Sequence, residues 1–568
     1  MRRTKRLSLL ALLLVLALVA AACAGEDGGT DTEQPETGEA TGGEFSVQIC
    51  EPQFLQPGNT QETCGSQVLQ ALFDPLVEFD PETAEPSNDV AESIESEDLQ
   101  TWTVTINEGY TWHNGEPLIA KNYVDAWNWV AYGPNAALNN YFFANIEGYD
   151  DLNNTVDPCT EDKSKCAEGE TPDEPDNEDI PAPKAETLTG LEVVDERSFT
   201  VTLSEPFSQF PLTVGYGAFY PLPEAFFEDP DAYNQAPIGQ GPYEMDGKWK
   251  HDQFIKVKKF ADYAGDEPNA DAIEFPIYAD INTAYTDLLA GNLDITDTIP
   301  TEVLAQAPQE LGEGFQSVPS SYFGYIGFPL YEEPWDKLEL RQAMSMAMDR
   351  EAITTAIFQG TYTPAKSIIS PVVPGFREDA CGDICEFNPE EAKRLWDENG
   401  GPDEITLWFN NDGGHEEWIE AYSNQVRETL GVKVKFESLA FTEYLTLQDG
   451  HKLTGPYRGA WVFDYPSPQN YLEPIFSCGG SSQEFGYEDA GCEEATELIE
   501  EGNATENLDD AIALYQQAED KILEDLPAFP TWFAVTNAGH NTETVENVVI
   551  DVFSFVRLED VRVIGGDA

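Results

Sequence analysis

Positive charge is what this sequence of 568 residues has least of. It contains 29 Lys and Arg residues against 106 Asp and Glu residues, a formal net charge of −77 at pH 7. A field of this sign repels nucleic acids and anionic lipid surfaces, so we expect no nucleic-acid partner. The acidic residues are spread along most of the chain, which indicates a solvated surface and favours a saline habitat, where the charge is screened.

Long apolar runs are missing beyond the first residues, so we expect no membrane span in the body of the chain. A cationic head precedes an apolar run at 7–22, which is short for a membrane helix and typical of a signal peptide over residues 1–22. The small residues before Cys23 resemble a bacterial lipoprotein cleavage site. We therefore expect a lipid on Cys23 and a flexible linker over 23–43, at the outer face of the cell membrane. Secretion without a lipid is the alternative.

Cysteine is also scarce, and its number indicates an oxidising location. The chain has nine cysteines, and eight remain when Cys23 is set aside. An even number in an exported chain is typical of disulfides. Their spacing predicts four local pairs, which are Cys50–Cys64, Cys159–Cys166, Cys381–Cys385 and Cys478–Cys492. No Cys-x-x-Cys pair occurs and only five histidines are present, so we expect neither a metal site nor a cofactor.

The signatures of hydrolases and nucleotide-binding enzymes are missing as well. There is no Gly-x-Ser-x-Gly, no His-Glu-x-x-His and no Gly-rich phosphate loop. The carboxylates cannot be paired into an acid–base couple, because acidic residues occur throughout the chain. We interpret the chemically capable residues as ligand-binding residues and expect no catalysis.

Residues 150–186 are rich in Asp, Glu and Pro and show no hydrophobic period. We interpret this segment as an acidic surface insertion with one disulfide near its base. The alternative is a calcium site among Asp173, Asp176, Glu178 and Asp179. The segment lacks the spacing and the central Gly of an EF-hand, which favours a solvated loop.

Hydrophobic patterns predict regular structure through most of the remaining chain. Residues 101–106 alternate as a strand, and residues 120–132 form an amphipathic helix. From Ile281 onward helices alternate with strands, which indicates α/β layers. Here the pattern predicts one continuous helix over 338–359 and a closing strand over 548–556.

One stretch, residues 458–472, combines an arginine, an acidic residue and several aromatics. Residues 458–463 are typical of a strand, and Asp464 follows where a proline-containing turn begins. At the mouth of a cleft an aspartate can bind an ammonium group, and an arginine can bind a carboxylate through two hydrogen bonds. The alternative is an Arg458–Asp464 pair that caps a strand beside an ordinary turn.

Seven segments in a characteristic order resemble the extracellular solute-binding proteins of bacterial ABC importers, in the dipeptide/oligopeptide-binding family, family 5. They cover nearly all of the chain beyond the linker. The segments are 72–83 (Leu-Phe-Asp-Pro-Leu-Val and Asp-Pro-Glu-Thr), 102–127 (with Trp-His-Asn-Gly-Glu-Pro), 190–203, 237–243 (Pro-Ile-Gly-Gln-Gly-Pro-Tyr), 288–295, 340–360 and 461–472.

The resemblance implies an α/β, two-lobed periplasmic-binding-protein-like fold (type II, cluster C) with an extra subdomain in the first lobe. Lobe I then comprises residues 44–73, 187–280 and 530–568. The extra subdomain comprises residues 74–186, with the acidic insertion at 150–186. Lobe II comprises residues 281–529. We expect a monomer that works with the permease and ATPase subunits of an ABC importer.

The resemblance also implies a site for an oligopeptide between the lobes. Asp464 matches the aspartate that binds the peptide's α-ammonium group, and Arg458 matches an arginine that helps to hold the far carboxylate. The remaining expected contacts are Trp461, Val462, Tyr141, Gln61 and Thr63. Bound this way, an extended peptide pairs mainly through its backbone, which permits many side chains.

Three other functions remain open from the sequence. The same fold can bind an oligosaccharide or another solute, although such a site favours stacked aromatics over charged contacts. A secreted hydrolase would need a nucleophile or metal motif. The third alternative is a structural or signalling lipoprotein that has lost its ligand cleft.

Overall fold

The computed structural model describes residues 42–153, 182–411, 414–439, 441–478, 480, 483–488 and 490–564. Over these residues the chain is an α/β structure with two four-stranded sheets and one seven-stranded sheet. Several expectations concern residues outside this part: the signal peptide, Cys23, most of the linker, the Cys159–Cys166 disulfide and the four acidic residues of the calcium alternative.

Both four-stranded sheets lie in the first half of the chain. One has the order Glu44–Ser46, Ala272–Pro276, Phe254–Lys259, Tyr243–Met245, with its first pair parallel. The other is antiparallel, with the order Ala91–Ser96, Thr101–Ile106, Ser198–Thr202, Leu191–Val193. The alternation predicted at 101–106 is confirmed, because Trp102, Val104 and Ile106 are buried while Thr101 and Thr103 are exposed.

The seven-stranded sheet contains the strand from which the candidate site extends. Its order is Ile295–Thr296, Ala528–His540, Phe315–Gly327, Tyr457–Trp461, Glu404–Asn410, Lys433–Leu439, with Tyr362–Pro364 also paired to Ala528–His540. Two short antiparallel pairs lie apart from it, Val77–Phe79 with Pro86–Asn88 and Val545–Glu546 with Arg562–Val563. The strand Ala528–His540 crosses position 530, where we placed a lobe boundary, and that boundary stays a prediction.

Helices cover the sheets. The α-helices of the described residues are Thr63–Leu72, Ala120–Ala131, Tyr149–Leu152, Phe210–Thr213, Glu224–Glu228, Pro230–Asn234, Ile281–Ala290, Ala307–Leu311, Leu338–Met346, Arg350–Ile353, Pro389–Glu398, Glu416–Leu430, Phe441–Asp449, Pro468–Phe476, Ala490–Asn503 and Leu508–Asp525. Short 3-10 helices occupy Gly133–Asn135, Asn140–Phe143, Gly217–Phe219, Thr301–Val303, Gly312–Gly314 and Gly382–Cys385. Among these helices none has the length and apolar character needed to cross a bilayer.

The continuous helix predicted over 338–359 is wrong, because the structure interrupts it. An α-helix ends at Met346, a second runs over Arg350–Ile353, and a π-helical turn follows. The Asp349 side chain accepts the N–H of Ala352 at 2.9 Å and so begins a new helix. The buried Arg350 side chain donates to the carbonyls of Pro530 and Cys385, contacts that a hydrophobic pattern cannot reveal.

The closing strand predicted over 548–556 is also wrong. Only a single bridge, Ile550 to Val556, pairs across a tight loop. Asp551 forms this loop, because its Oδ1 accepts the N–H groups of Phe553 and Phe555, both at 2.9 Å. Such local side-chain bonds compete with strand pairing.

Three of the predicted disulfides are present in the structure. They are Cys50–Cys64, Cys381–Cys385 and Cys478–Cys492, with Cα separations of 5.4, 5.7 and 5.5 Å. The third joins the end of the helix Pro468–Phe476 to the helix Ala490–Asn503. These two helices form one wall of the candidate site.

Candidate functional site

Asp464 lies in a turn between a strand and a helix. The strand Tyr457–Trp461 ends three residues before it, two residues earlier than predicted. The helix Pro468–Phe476 begins four residues after it, with proline at its first position and the Ser467 hydroxyl accepting the N–H of Gln469 at 3.2 Å. Proline suits this position because it has no N–H that would go unpaired. The turn therefore places Asp464 just beyond the end of the strand Tyr457–Trp461 in the seven-stranded sheet.

Asn470 fixes both Asp464 and Trp461. Its Oδ1 accepts the backbone N–H of Asp464 at 2.8 Å and the indole N–H of Trp461 at 3.3 Å. Its Nδ2 donates to Oδ2 of Asp464 at 3.1 Å. A buried amide that bonds an acid and an aromatic holds both in one orientation. Asn470 was not among the site residues expected from the sequence. Its position in the first turn after Pro468 was the available signal.

Asp464 and Trp461 line a cavity of about 800 Å³. Six of its lining residues are aromatic: Tyr141, Phe142, Phe207, Phe219, Trp461 and Tyr465. Three are acidic: Asp464, Glu473 and Glu500. We call this space the Asp464 cavity. It combines residues of the predicted first lobe and subdomain with residues of the predicted second lobe, and its volume suits a ligand of several residues.

Burial shapes the electrostatics of the Asp464 cavity. It raises the pKa of Asp464 to about 6, against the hydrogen bond from Asn470, which lowers it. Burial and the Asp464 charge together raise the pKa values of Tyr141 and Tyr216 well above the ordinary value. Asp464 is thus a poorly solvated carboxylate without a charged partner among the residues that bond to it, which suits it to accept an ammonium group.

Arg458 lies on the strand Tyr457–Trp461 of the seven-stranded sheet and does not line the Asp464 cavity. Its Nη1 is 3.5 Å from Oδ1 of Asn410, and its Nη2 is 3.5 Å from the Tyr322 hydroxyl. Its Nε is buried without a hydrogen-bond partner among the described residues. Burial raises the pKa of Tyr362 to about 12, and the Arg458 charge opposes that rise.

The alternative of an Arg458–Asp464 pair is therefore wrong, because within the described residues the two side chains have separate partners. The long 3.5 Å contacts and the unpaired Nε leave the Arg458 guanidinium with unused hydrogen-bonding capacity.

The other expected contacts fall in different places. Tyr141 lines the Asp464 cavity, is 54% exposed and packs on Phe142 at 4.3 Å between ring centroids. Val462 is also 54% exposed. Thr63 instead lines a separate cavity of about 330 Å³, and the Gln61 amide donates to the carbonyl of Leu138 at 2.8 Å.

A second acidic space, which we call the Arg557 cavity, has a volume of about 320 Å³. Its acidic lining residues are Asp74, Glu78, Asp89, Asp266, Asp551, Glu559 and Asp560. Arg557 is the only basic residue lining it within the described part of the chain. Burial raises the pKa of Asp74 well above its ordinary value and those of Asp89 and Asp551 to about 7.

Possible metal ligands come together at one place among the described residues, Cys50, Glu62 and Cys64. The two cysteines form a disulfide, so they offer no thiolate to a metal. Glu62 accepts the N–H of Gly65 at 2.9 Å and caps the helix Thr63–Leu72. We assign this group a structural role.

Comparison with known proteins identifies relatives over almost the whole chain. The family model for bacterial extracellular solute-binding proteins, family 5, matches residues 85–483. The oligopeptide-binding protein OppA of Bacillus subtilis is 23% identical over 96% of this chain and 97% of its own length. The dipeptide-binding protein DppE of Bacillus subtilis is 25% identical over 88% of this chain and 92% of its own length.

A solved structure shows the same fold. The unliganded open form of the periplasmic murein tripeptide-binding protein MppA superposes with a TM-score of 0.75, at 20% identity, over 92% of this chain and 98% of its own. The α/β, two-lobed periplasmic-binding-protein-like fold expected from the sequence is thereby confirmed.

Proposed function

Because the chain belongs to the bacterial extracellular solute-binding proteins of family 5, we propose that it captures oligopeptides and delivers them to the permease of an ABC importer. The observation that carries this proposal is Asp464, a poorly solvated carboxylate that Asn470 holds at a cavity with aromatic walls. The names of the relatives support it, since they describe binders of dipeptides, a murein tripeptide and oligopeptides.

In the proposed complex Asp464 binds the α-ammonium group of the peptide. The ammonium loses its water on entering the cavity, and a charge-assisted hydrogen bond to Asp464 offsets that loss. Asn470 keeps the carboxylate and the Trp461 ring in place before the ligand arrives, so little ordering is needed on binding. Val462 lies beside Trp461 and offers backbone groups to an extended chain.

Arg458 is proposed to receive the carboxylate end of the peptide. Its guanidinium holds only two long contacts and leaves Nε unpaired, so it can pair with a carboxylate without breaking strong bonds. Because Arg458 lies outside the lining of the Asp464 cavity, a ligand that meets both must extend along the sheet. Peptides longer than two residues satisfy this requirement best.

We also propose how the two lobes move and how the protein is anchored. Lobe I (44–73, 187–280 and 530–568) and lobe II (281–529) close on the ligand by a hinge motion, and opening releases it to the permease. Cys23 carries a lipid that anchors the protein outside the cell. The protein acts as a monomer and catalyses no reaction.

A solute such as an oligosaccharide is the second candidate, and the six aromatic residues of the Asp464 cavity favour it. Native mass spectrometry of the purified protein separates the two, because bound molecules can be released and identified. A mixed set of short peptides supports the proposal, whereas a uniform glycan overturns it. The same experiment on Asp464→Asn is the control, and we expect peptide occupancy to fall sharply.

A further inference from the structure

The Asp464 cavity has an excess of negative charge that a neutral peptide cannot balance. It is lined by three carboxylates, and within the described part of the chain no Lys, Arg or His lines it. The α-ammonium group of a peptide offers one positive charge, to Asp464. The carboxylate of the peptide adds a negative charge, which the proposed function assigns to Arg458. The charges of Glu473 and Glu500 are then left facing the ligand.

Glu473 is held toward the cavity by a network of buried polar side chains. Its Oε2 accepts hydrogen bonds from the amide of Gln469 and, at 2.9 Å, from the amide of Asn503. The Tyr465 hydroxyl donates to Gln469 at 2.5 Å, and the Tyr515 hydroxyl donates to Asn503 at 2.9 Å. Among the described residues Oε1 of Glu473 accepts no hydrogen bond, so it remains available.

This network distinguishes Glu473 from the acidic surface of the protein. Gln469 is only 4% exposed, and both tyrosines are buried, so their polar groups have given up water to form these bonds. An exposed acidic residue of a solvated surface needs no such support. Glu497, on the helix Ala490–Asn503, is an example, because it is exposed and does not line the cavity.

The aromatic walls of the Asp464 cavity suit the methylene groups of a long basic side chain, and its carboxylates suit the charge. The methylene groups of a lysine or arginine pack favourably on aromatic rings, and a cation over such a ring gains further attraction. Phe142, Phe207 and Phe219 provide apolar surface next to the carboxylates.

We propose that the Asp464 cavity selects peptides that carry a lysine or arginine close to their ammonium terminus, with Glu473 binding the basic side chain and Glu500 assisting it. This inference rests on the proposed function and specifies its ligand class. Glu473 lies on the helix Pro468–Phe476 and Glu500 on the helix Ala490–Asn503, and the Cys478–Cys492 disulfide links the segment just after the first helix to the second.

The test is calorimetric titration with synthetic tripeptides in high salt, where nonspecific attraction to the acidic surface is screened. The peptides are Ala-Ala-Ala, Lys-Ala-Ala, Ala-Lys-Ala, Ala-Ala-Lys and Ala-Glu-Ala. For the unmodified protein we expect lysine at the first or second position to tighten binding about tenfold over Ala-Ala-Ala, the size of one charge-assisted hydrogen bond. We expect Ala-Glu-Ala to bind most weakly.

Glu473→Gln is the decisive variant, because glutamine keeps an oxygen for the Gln469 and Asn503 bonds and removes only the charge. It should abolish the preference for lysine, measured in the variant as the ratio of the dissociation constants of Ala-Ala-Ala and Ala-Lys-Ala. Glu500→Gln should reduce the preference by about twofold, since an exposed charge is screened. Glu497→Gln is the matched control and should leave the preference intact.

The outcomes separate this inference from the proposed function. Equal affinity for all five peptides, a preference only for Ala-Ala-Lys, or an unchanged preference in Glu473→Gln overturns the inference while peptide binding stands. If no tripeptide binds and native mass spectrometry finds no co-purified peptide, the proposed function itself fails.

Discussion

The Asp464 cavity and the Arg557 cavity are both acidic, and they differ in what balances their charge. In the Arg557 cavity the guanidinium pairs with Glu559 at 2.7 Å and approaches Glu78 at 3.6 Å. The raised pKa values of Asp89 and Asp551 add protons as further balance. The Asp464 cavity has no basic lining residue in the described chain. The comparison indicates that folding supplies a cation to the Arg557 cavity, whereas under the proposed function the ligand supplies the cation to the Asp464 cavity.

The largest expected effect concerns stability and comes from removing the cation of the Arg557 cavity. Arg557→Gln leaves Glu78 and Glu559 without their partner, and we expect the free energy of unfolding to fall by about 2 kcal/mol near pH 8, less than for a fully buried pair because these side chains are partly exposed. Chemical denaturation measures this change. Arg394→Gln, which breaks only exposed pairs with Glu391 and Glu398, is the control and should change stability far less. Equal losses in the two variants would refute the special role of Arg557.

Peptide affinity should respond in the opposite way, to Asp464 and not to Arg557. Asp464→Asn keeps the shape of the side chain and removes the charge, so we expect the dissociation constant for Ala-Ala-Ala to rise more than about tenfold. Arg557→Gln, measured on the folded fraction, should leave that constant unchanged. Calorimetric titration gives both values. An unchanged constant in Asp464→Asn would remove this residue from the site.

Binding should weaken in acid, because only the ionised form of Asp464 attracts an ammonium group. Burial raises the pKa of Asp464 to about 6 in the unliganded protein, so protonation begins as the pH falls below about 7. From about pH 7 to about pH 5 we expect affinity for Ala-Ala-Ala to fall about tenfold. Titrations at the two pH values test this, and Asp464→Asn should show little of the dependence. A flat profile in the unmodified protein would contradict it.

The smallest expected effect is on stability at alkaline pH. Burial raises the pKa of Asp551 in the folded protein to about 7, above its ordinary value of 3.8. The stabilisation that comes from protonated Asp551 is therefore fully present below about pH 4 and is lost as the pH rises to about 7. Asp551→Asn retains an oxygen for the N–H groups of Phe553 and Phe555, so we expect its free energy of unfolding to exceed that of the unmodified protein near pH 8 and to equal it near pH 4. Denaturation at both pH values measures the difference.

The sequence predicted the fold correctly where the hydrophobic pattern of a segment matches the burial of its side chains in the structure. The strand Thr101–Ile106 has the predicted bounds, since its buried residues alternate along the chain. The helix Ala120–Ala131 ends one residue before its predicted bound. The pattern failed at 338–359 and 548–556, where side-chain bonds to the backbone outweigh hydrophobic periodicity. Asp349 and Asp551 make those bonds, and both are common loop residues that a pattern treats as merely polar.

The candidate site was predictable in its residue types and only partly in its arrangement. Asp464, Trp461 and Tyr141 were expected together, and they line one cavity. Thr63 and Arg458 were expected with them and lie apart, because Thr63 begins a helix beside another cavity and Arg458 pairs with Ile326 within the seven-stranded sheet. Asn470 and Glu473 were missed, since neither has a recognisable motif and each acquires its role from partners in the folded chain.

The amino-acid sequence alone determined the acidic character of this protein, its family, its local disulfides and the turn that presents Asp464. All of these depend on composition or on residues close together in the chain. The tertiary structure decided which of the described carboxylates have a basic side chain nearby and which do not. That outcome depends on whether a cation, a proton or an amide lies a few ångströms away, and distant segments of the chain supply those partners.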